Sequence, residues 1–392
     1  MNTPRPVLVN SPSTLKSFHK VPRIIYADNP DYIHHLKQDI DKIFDPKKNR
    51  LLRKGKAQRW IFFNDKNQLV GRVAAFINPK TSFSGKQPTG GIGFFECIDH
   101  QETANFIFDT AKDWLASEEM EAMDGPINFG ERNQFWGCLT KNFTDPNSYG
   151  MNYNPPYYPK LFENYGFKTY FNQYLYKRPV LLPVQEVFIR KNKNLKEKVG
   201  VSVNNVTGKS IAEITQDFLT VYNAAWGGHD NFKPMRLSMA QKIMNSLKPV
   251  IDKRIIIFAY HDDKPIGFFI NIPELNEIFK HVDGNLNLLG KLKFLYHQKI
   301  GTPRTMVGIV FGVAKEWQGK GVEGAMIHWA GEYITQNTKY REIVMTWIGD
   351  FNPKMLKVCQ NLGATRYREM KTYRYLFDRN AVFERHPIIR SS

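Results

Sequence analysis

Four residues, Gln318-Gly319-Lys320-Gly321, stand between an apolar run of strand length, Gly308 to Val313, and a stretch in which Val322, Ala325, Met326, Trp329, Ala330 and Tyr333 recur at helical spacing. Glycines at the mouth of a helix let backbone N–H groups close on an anion. The helix dipole adds partial positive charge there, and Lys320 adds a full one. The chemistry implied is the holding of a phosphate or pyrophosphate. A second glycine-rich loop, Trp226-Gly227-Gly228-His229-Asp230-Asn231-Phe232, carries His229 and Asp230. An imidazole in a loop titrates near neutral pH, so these two are candidate general bases, or else a turn residue and a helix cap. Glu274, just past a strand, is a further candidate base. A third stretch mixes Asn128, Glu131, Arg132, Asn133, Gln134 and Trp136, followed by Asn152, Tyr153, Asn154, Tyr157 and Tyr158. Amides beside aromatic faces suit a small-molecule or peptide groove, with Arg132, Asn133, Trp136, Asn152 and Tyr153 as the expected ligand-binding residues. The same composition suits an ordered loop that packs two domains together.

The elements needed to hold these residues occur twice in one order. Arg59 to Ile77 and Arg254 to Ile272 each read as a hairpin, around Asn64-Asp65-Lys66-Asn67 and His261-Asp262-Asp263-Lys264. The hairpin glycines, Gly71 and Gly267, are 196 residues apart, and two helix-stopping glycines, Gly166 and Gly363, are 197 apart. Both late helices are entered through Asn-Pro, Asn154-Pro155 and Asn352-Pro353. In the first half, Gly91 to Ile98 predicts a strand, Glu102 to Leu115 an amphipathic helix and Glu121 to Phe129 a short strand. Leu161 to Tyr165 then ends a helix, and Phe167 to Tyr176 is a last strand. Residues 1 to about 20 are expected as an extended lead-in, and Asn29-Pro30 as the entry to a helix over Tyr32 to Ile43. The halves carry extra length in different places, Gly130 to Tyr153 and about Glu274 to Arg304. The pattern implies an internal duplication, with domains at 1–180 and 181–392 joined near Pro179 to Lys198.

The 392 residues suffice for two domains, and 42% hydrophobic with 14% aromatic content supplies real cores. No apolar run approaches the ~20 residues of a membrane span, and the N-terminus lacks an apolar signal core. Cys97, Cys138 and Cys359 lie far apart without metal-type spacing, so no metal is expected and a reduced, cytoplasmic setting is the simplest reading. The formal net charge of +18 draws anions: nucleic acid, acidic lipid or a phosphorylated cofactor. A local cluster at Arg190, Lys191, Lys193, Lys196 and Lys198 reads as a solvated linker or helix face. No nucleic-acid module with its own signature is visible, so nucleic acid ranks below a phosphorylated cofactor as a partner. A monomer is expected.

Strand, Gln318-Gly319-Lys320-Gly321-Val322 and helix together resemble the acyl-CoA motif of the GNAT family of N-acetyltransferases, whose pattern is Arg or Gln, two residues, Gly, one residue, then Gly or Ala. Gln318 and Gly321 are in place; Glu323 stands at the last position and Gly324 follows. Hairpin, strand, helix, strand, helix, strand is also the GNAT order. GPINFGERNQFWG, MNYNPPYYPKLFENYGF and YNAAWGGHDNF further resemble a group of bacterial tandem-GNAT proteins. The resemblance implies an α/β fold with an α+β mixed sheet, built as two tandem GNAT-like acyl-CoA N-acyltransferase domains. It implies acetyl-CoA or another acyl-CoA as cofactor, held in the second domain by Phe311, Gly312, Val313, Gln318, Gly319, Lys320, Gly321, Val322, Gly324 and Asn352. The implied reaction is direct transfer of an acyl group, acetyl first among them, to a small-molecule or peptide amine in a ternary complex.

Such a transfer needs a deprotonated amine, donors for the oxyanion and a proton for the leaving thiolate. By position in the family, the oxyanion donor falls in the Phe311 to Val313 region. The family often places a Tyr four residues before the late glycine as the acid. Here Cys359 holds that place, a thiol able to act as acid, as nucleophile if activated, or as a small core residue. The first half has Phe162 at the equivalent place, and Ile98-Asp99-His100-Gln101-Glu102 where the phosphate turn belongs. It is therefore expected to bind no CoA and to serve the acceptor. The rival reading is a catalytically degenerate GNAT-like regulatory protein that senses acyl-CoA or another anion, which Glu323 and the missing Tyr favour.

Overall fold

The computed structural model describes residues 4–389, apart from 184–185, 187–188, 191–192, 194, 196–198 and 228–232. The first half contains β1 (Arg5–Leu8), α1 (Pro12–Ile25), α2 (Lys37–Asp41), β2 (Lys56–Phe63), β3 (Leu69–Ile77), β4 (Thr89–Cys97), α3 (Gln101–Ser117), β5 (Ala122–Gly125), β6 (Cys138–Lys141), α4 (Tyr158–Tyr165) and β7 (Lys168–Pro179). The second contains β8 (Ser202–Asn205), α5 (Ile211–Trp226), α6 (Leu237–Leu247), β9 (Ile256–His261), β10 (Lys264–Pro273), α7 (Asn276–Phe279), α8 (Leu288–Lys299), β11 (Thr305–Val313), α9 (Val322–Asn337), β12 (Glu342–Gly349), α10 (Pro353–Asn361) and β13 (Thr365–Leu376).

Two local expectations are corrected. The lead-in is ordered as β1 and α1, because Ser11 forms a capping box with Thr14 and Pro12 opens the helix, while Phe18 and Val21 enter the core. The helix expected over Tyr32 to Ile43 shrinks to the five residues of α2, whose N-cap Leu36 offers no side-chain acceptor. Ile33 and Leu36 instead pack on Leu275 and Phe279 of the second half.

The strands form one sheet in the order β1-β2-β3-β4-β5-β13-β7-β12-β11-β10-β9-β8, with β6 also on β13. All pairs are antiparallel except β4 with β5 and β11 with β12. The last strand of each half has moved to the other. β13 lies between β5 and β7, and β7 runs antiparallel to β12 from Glu342↔Pro179 to Gly349↔Gln173. Side chains alternate across the sheet. Phe258, Phe268 and Ile270 turn to α5 and α6, whereas Ile257, Val313 and Ile343 turn to α9. In the first half, Val73 and Phe95 face α3 and α4, while Ile61 and Phe76 face α1.

This alternation positions the site because both parallel pairs come apart. β11 pairs with β12 only over Thr305–Gly308 against Glu342–Met345. At that point β11 carries an extra residue, Ile309, against β10. β12 bulges at Thr346 and Trp347, with Trp347 at φ 65°. The matching pair β4 and β5 parts after Gly91 and Asp124, with a bulge at Phe94. That first gap is plugged, since Ile127, Phe129 and Phe135 join Phe94 in one core.

Candidate functional site

The turn after β11 leaves the mouth of α9 uncapped. Gly321 is its N-cap at φ 101°, a left-handed conformation that favours glycine, and among the described residues no side chain caps the helix. Gln318 folds back, its Nε2 donating to the Val313 carbonyl at 2.9 Å. A Cβ on Gly319 would meet none of the described residues within 4 Å, so the turn is open at that position. Lys320 lies 5.0 Å from the centre of the Trp317 ring. Val322 and Gly324 are buried beneath. Free donors, open space and a lysine fit a phosphate, with the Glu323 carboxylate in the same turn opposing it. The equivalent turn in the first half offers no such donors: His100 caps α3, its Nδ1 accepting from Thr103 N at 3.2 Å.

On β11, Phe311 packs edge-on to Phe269 at 5.4 Å on the α9 side. Gly312 lies under Trp226, the last residue of α5, where a Cβ would come within 2.8 Å of the indole. Asn352 is committed to α10 as its N-cap, accepting from Met355 N at 3.3 Å. Cys359 is buried against Tyr176 and Ile348, and burial pushes its thiol up to about 12. A buried thiol with so high a pKa is a poor acid and a poor nucleophile, and fits a small core residue. Between α9 and the parting strands lies an apolar pocket lined by Phe269, Met306, Ile327, Ile334, Ile343 and Met345. Arg178 and Val180, at the end of β7, complete it from the first half.

His229 and Asp230 lie outside the described residues. Glu274 is buried at the junction of the halves. Its Oε1 accepts from Tyr149 N at 2.8 Å and Asn276 N at 3.0 Å, while burial raises its pKa. Asn276 donates to the Asn147 carbonyl at 2.6 Å, and Asn147 Oδ1 accepts from Ile33 N at 2.8 Å. The segment Gly130 to Tyr153 is therefore tied to α7 and to the N-terminal region at once. Trp136 donates to Thr372 Oγ1 at 3.0 Å and meets Trp347 edge-on at 6.4 Å, which brings it to the bulge of β12. Arg132 lies 5.9 Å from the Trp136 ring, and both Arg132 and Asn133 are exposed. Asn152 donates to the Gly137 carbonyl at 2.9 Å, and the Tyr153 hydroxyl donates to the Phe143 carbonyl. Trp347 Nε1 is buried and has no hydrogen-bond partner among the described residues.

One charged cluster escaped sequence reasoning. Glu96 Oε2 accepts from the Tyr26 and Tyr158 hydroxyls, both at 2.8 Å, and Arg72 lies 3.4 Å from Oε1. Arg72 also donates to the Phe18 carbonyl at 3.0 Å. Burial raises the Glu96 pKa, with Arg72 and the two hydroxyls pulling the other way. The available signal was an arginine and a glutamate inside two apolar strands, which the register places directly opposite each other.

No protein-family model matches the chain. It is 25% identical over 373 residues to the bacterial ceramide synthase of Caulobacter vibrioides (strain NA1000 / CB15N), covering 93% of this chain and 95% of that protein. It is 24% identical over 370 residues to protein YghO of Escherichia coli (strain K12), with 92% of each chain covered. Among solved structures, a tandem GNAT protein from the clavulanic acid biosynthesis pathway superposes with a TM-score of 0.54 at 10% identity, over 96% of this chain and 100% of that one. A GCN5-related glucosamine N-acetyltransferase region in a fungal multi-domain GH3 β-N-acetylglucosaminidase superposes with a TM-score of 0.55 at 13% identity, over 96% of this chain; the match spans only 38% of that protein. With its twice-repeated order of elements, two parted parallel pairs and the superposition on both of these structures, this chain has the tandem GNAT fold.

Proposed function

We propose that the protein is an acyl-CoA-dependent N-acyltransferase, with residues 181–392 as the cofactor-binding domain and 1–180 as the domain that helps hold the acceptor amine. The observation that carries this reading is the open, uncapped turn at Gln318–Gly321, which follows β11 beyond its parting from β12. Acyl-CoA supplies the acyl group already activated as a thioester. The first N–H groups of α9 and Lys320 hold its pyrophosphate, and Gln318 fixes the turn against Val313. A backbone N–H of the Phe311 to Val313 region faces the developing oxyanion. His229 or Asp230 takes the proton of the attacking amine, and Cys359 stands at the place of the acid, although burial that lifts its thiol to about 12 makes it a weaker acid than the leaving thiol.

One observation favours a long acyl chain and a long-chain amine over acetyl transfer to a soluble molecule. The relative from Caulobacter is a ceramide synthase, and a ceramide is the N-acyl amide of a sphingoid base. Incubation of the purified protein with palmitoyl-CoA and sphinganine is expected to yield the amide and free CoA, read by mass spectrometry. Glu323 in the first turn favours the second reading, a sensor without turnover. CoA binding without an amide product from any of a panel of short- and long-chain amines would decide for the sensor.

The acceptor side is tested at Trp136, which joins the first-half insertion to the bulge of β12. Trp136→Ala is expected to raise the KM for the amine roughly tenfold, while the Kd for CoA measured by calorimetry stays within about twofold. Equal losses on both ligands would show that Trp136 supports the fold and not the acceptor.

A further inference from the structure

The second-half insertion, absent from the first half, ends in a helix turned inside out. Leu288, Leu289, Leu292, Leu295, Tyr296 and Ile300 are all exposed, Leu288 by 77% and Tyr296 by 62%. At 3.6 residues per turn these six fall on one arc of about 140°, into which the exposed Lys299 also falls at the C-terminal end of the helix. Lys293 borders one side of the arc and Lys291 the other, and both are exposed. The opposite side is the anchored one: Phe294 stacks on Phe279 at 5.4 Å, Gly290 is buried, and Gln298 donates to the Pro249 carbonyl at 2.7 Å. A helix in a globular protein normally buries its leucines. Here α8 buries the narrow side and presents the stripe outward.

We propose that this face of α8 docks on the surface of an anionic lipid bilayer. A contiguous apolar patch rimmed by polar groups marks an interaction site, and the charges around this one choose the partner. Leu288 to Lys299 contains three lysines, one histidine and no carboxylate. The nearby Asp283 is already engaged by Arg23 at 3.1 Å. Leucines that enter the acyl boundary, a tyrosine at headgroup depth and lysines that extend to phosphates are the parts of an interfacial helix. The net charge of +18 adds long-range attraction to a negative surface. A second copy of the chain fits less well, because a two-fold contact through α8 sets lysine against lysine with no acid between. Nucleic acid offers nothing to the leucines. No helix of the described residues is long and apolar enough to cross a membrane, so the contact is peripheral. Docking does not depend on the proposed reaction, although a lipid-like amine would be met there.

The test is co-sedimentation of the full-length protein with vesicles, without acyl-CoA or amine. Wild type is expected to bind phosphatidylcholine vesicles containing about one third phosphatidylglycerol, and to bind pure phosphatidylcholine on the order of tenfold more weakly. Leu292→Glu/Leu295→Glu should cut partitioning by at least about tenfold, with an unchanged melting profile because both side chains are exposed. Lys291→Glu/Lys293→Glu should reduce the preference for anionic lipid at least about threefold while leaving α8 folded. Wild type found free of both vesicle types, or bound equally well after Leu292→Glu/Leu295→Glu, would overturn the proposal. So would a concentration-dependent dimer in sedimentation velocity that these substitutions break while vesicle binding is unaffected.

Discussion

Gly321→Asp is expected to weaken CoA binding by more than about 100-fold, to the point of no measurable heat in calorimetry. Two effects act together. Residue 321 has φ 101°, where any Cβ costs roughly 1–2 kcal/mol. The new carboxylate would also stand among the N–H groups that face the pyrophosphate. Gly321→Ala separates the two, since it adds the strain without the charge and should retain part of the affinity. Glu323→Gln should act in the opposite direction and tighten CoA by roughly two- to fivefold, because it removes a like charge from the same turn. Glu102→Ala is the control in the first half and should change nothing, since His100 already caps that helix. Unchanged affinity in Gly321→Asp would remove the cofactor from this turn.

The second large effect is on stability. Arg72→Met should cost about 3–5 kcal/mol in denaturant unfolding, because it leaves Glu96 buried without its cation. The Tyr26 and Tyr158 hydroxyls remain as donors, so the variant is expected to fold. Arg72→Met/Glu96→Gln should recover part of the loss, since an amide carries no charge to desolvate. The pH dependence has a definite sign. The folded pKa of Glu96 is raised, so its contribution is complete below the ordinary glutamate range and is lost as pH rises through the folded value. Removing Arg72 raises that pKa further and should steepen the loss, and Glu96→Gln should flatten it. A loss below about 1 kcal/mol for Arg72→Met would show that water reaches the cluster.

Much of the chain could be read locally. Hairpins β2–β3 and β9–β10 follow from paired apolar runs around short polar turns. The mouth of α9 follows from Gly319 and Gly321, whose left-handed φ values of 74° and 101° are those their residue type allows. Local signals also misled. Pro12 and Ser11 suggested an extended lead-in, although proline at the first helical position and serine at the cap are also how a helix begins. Asn29-Pro30 reads as a helix entry, yet the segment that follows packs Ile33 and Leu36 on Leu275 and Phe279 across the halves.

By itself, the sequence determined the duplicated order of elements and the single phosphate-type turn, because strand and helix periodicity and glycine conformation act within a few residues. The tertiary structure alone decided which strand lies beside which, so that β7 and β13 changed halves. It also decided that Arg72 meets Glu96 across a hairpin, and that the stripe on α8 faces outward while Phe294 is held. Period 3.6 or period 2 shows that a face is apolar but not what it faces. That choice is made by contacts between residues more than a hundred positions apart, such as Glu342 with Pro179 and Tyr373 with Gly125, whose energies depend on register and packing that no local pattern carries.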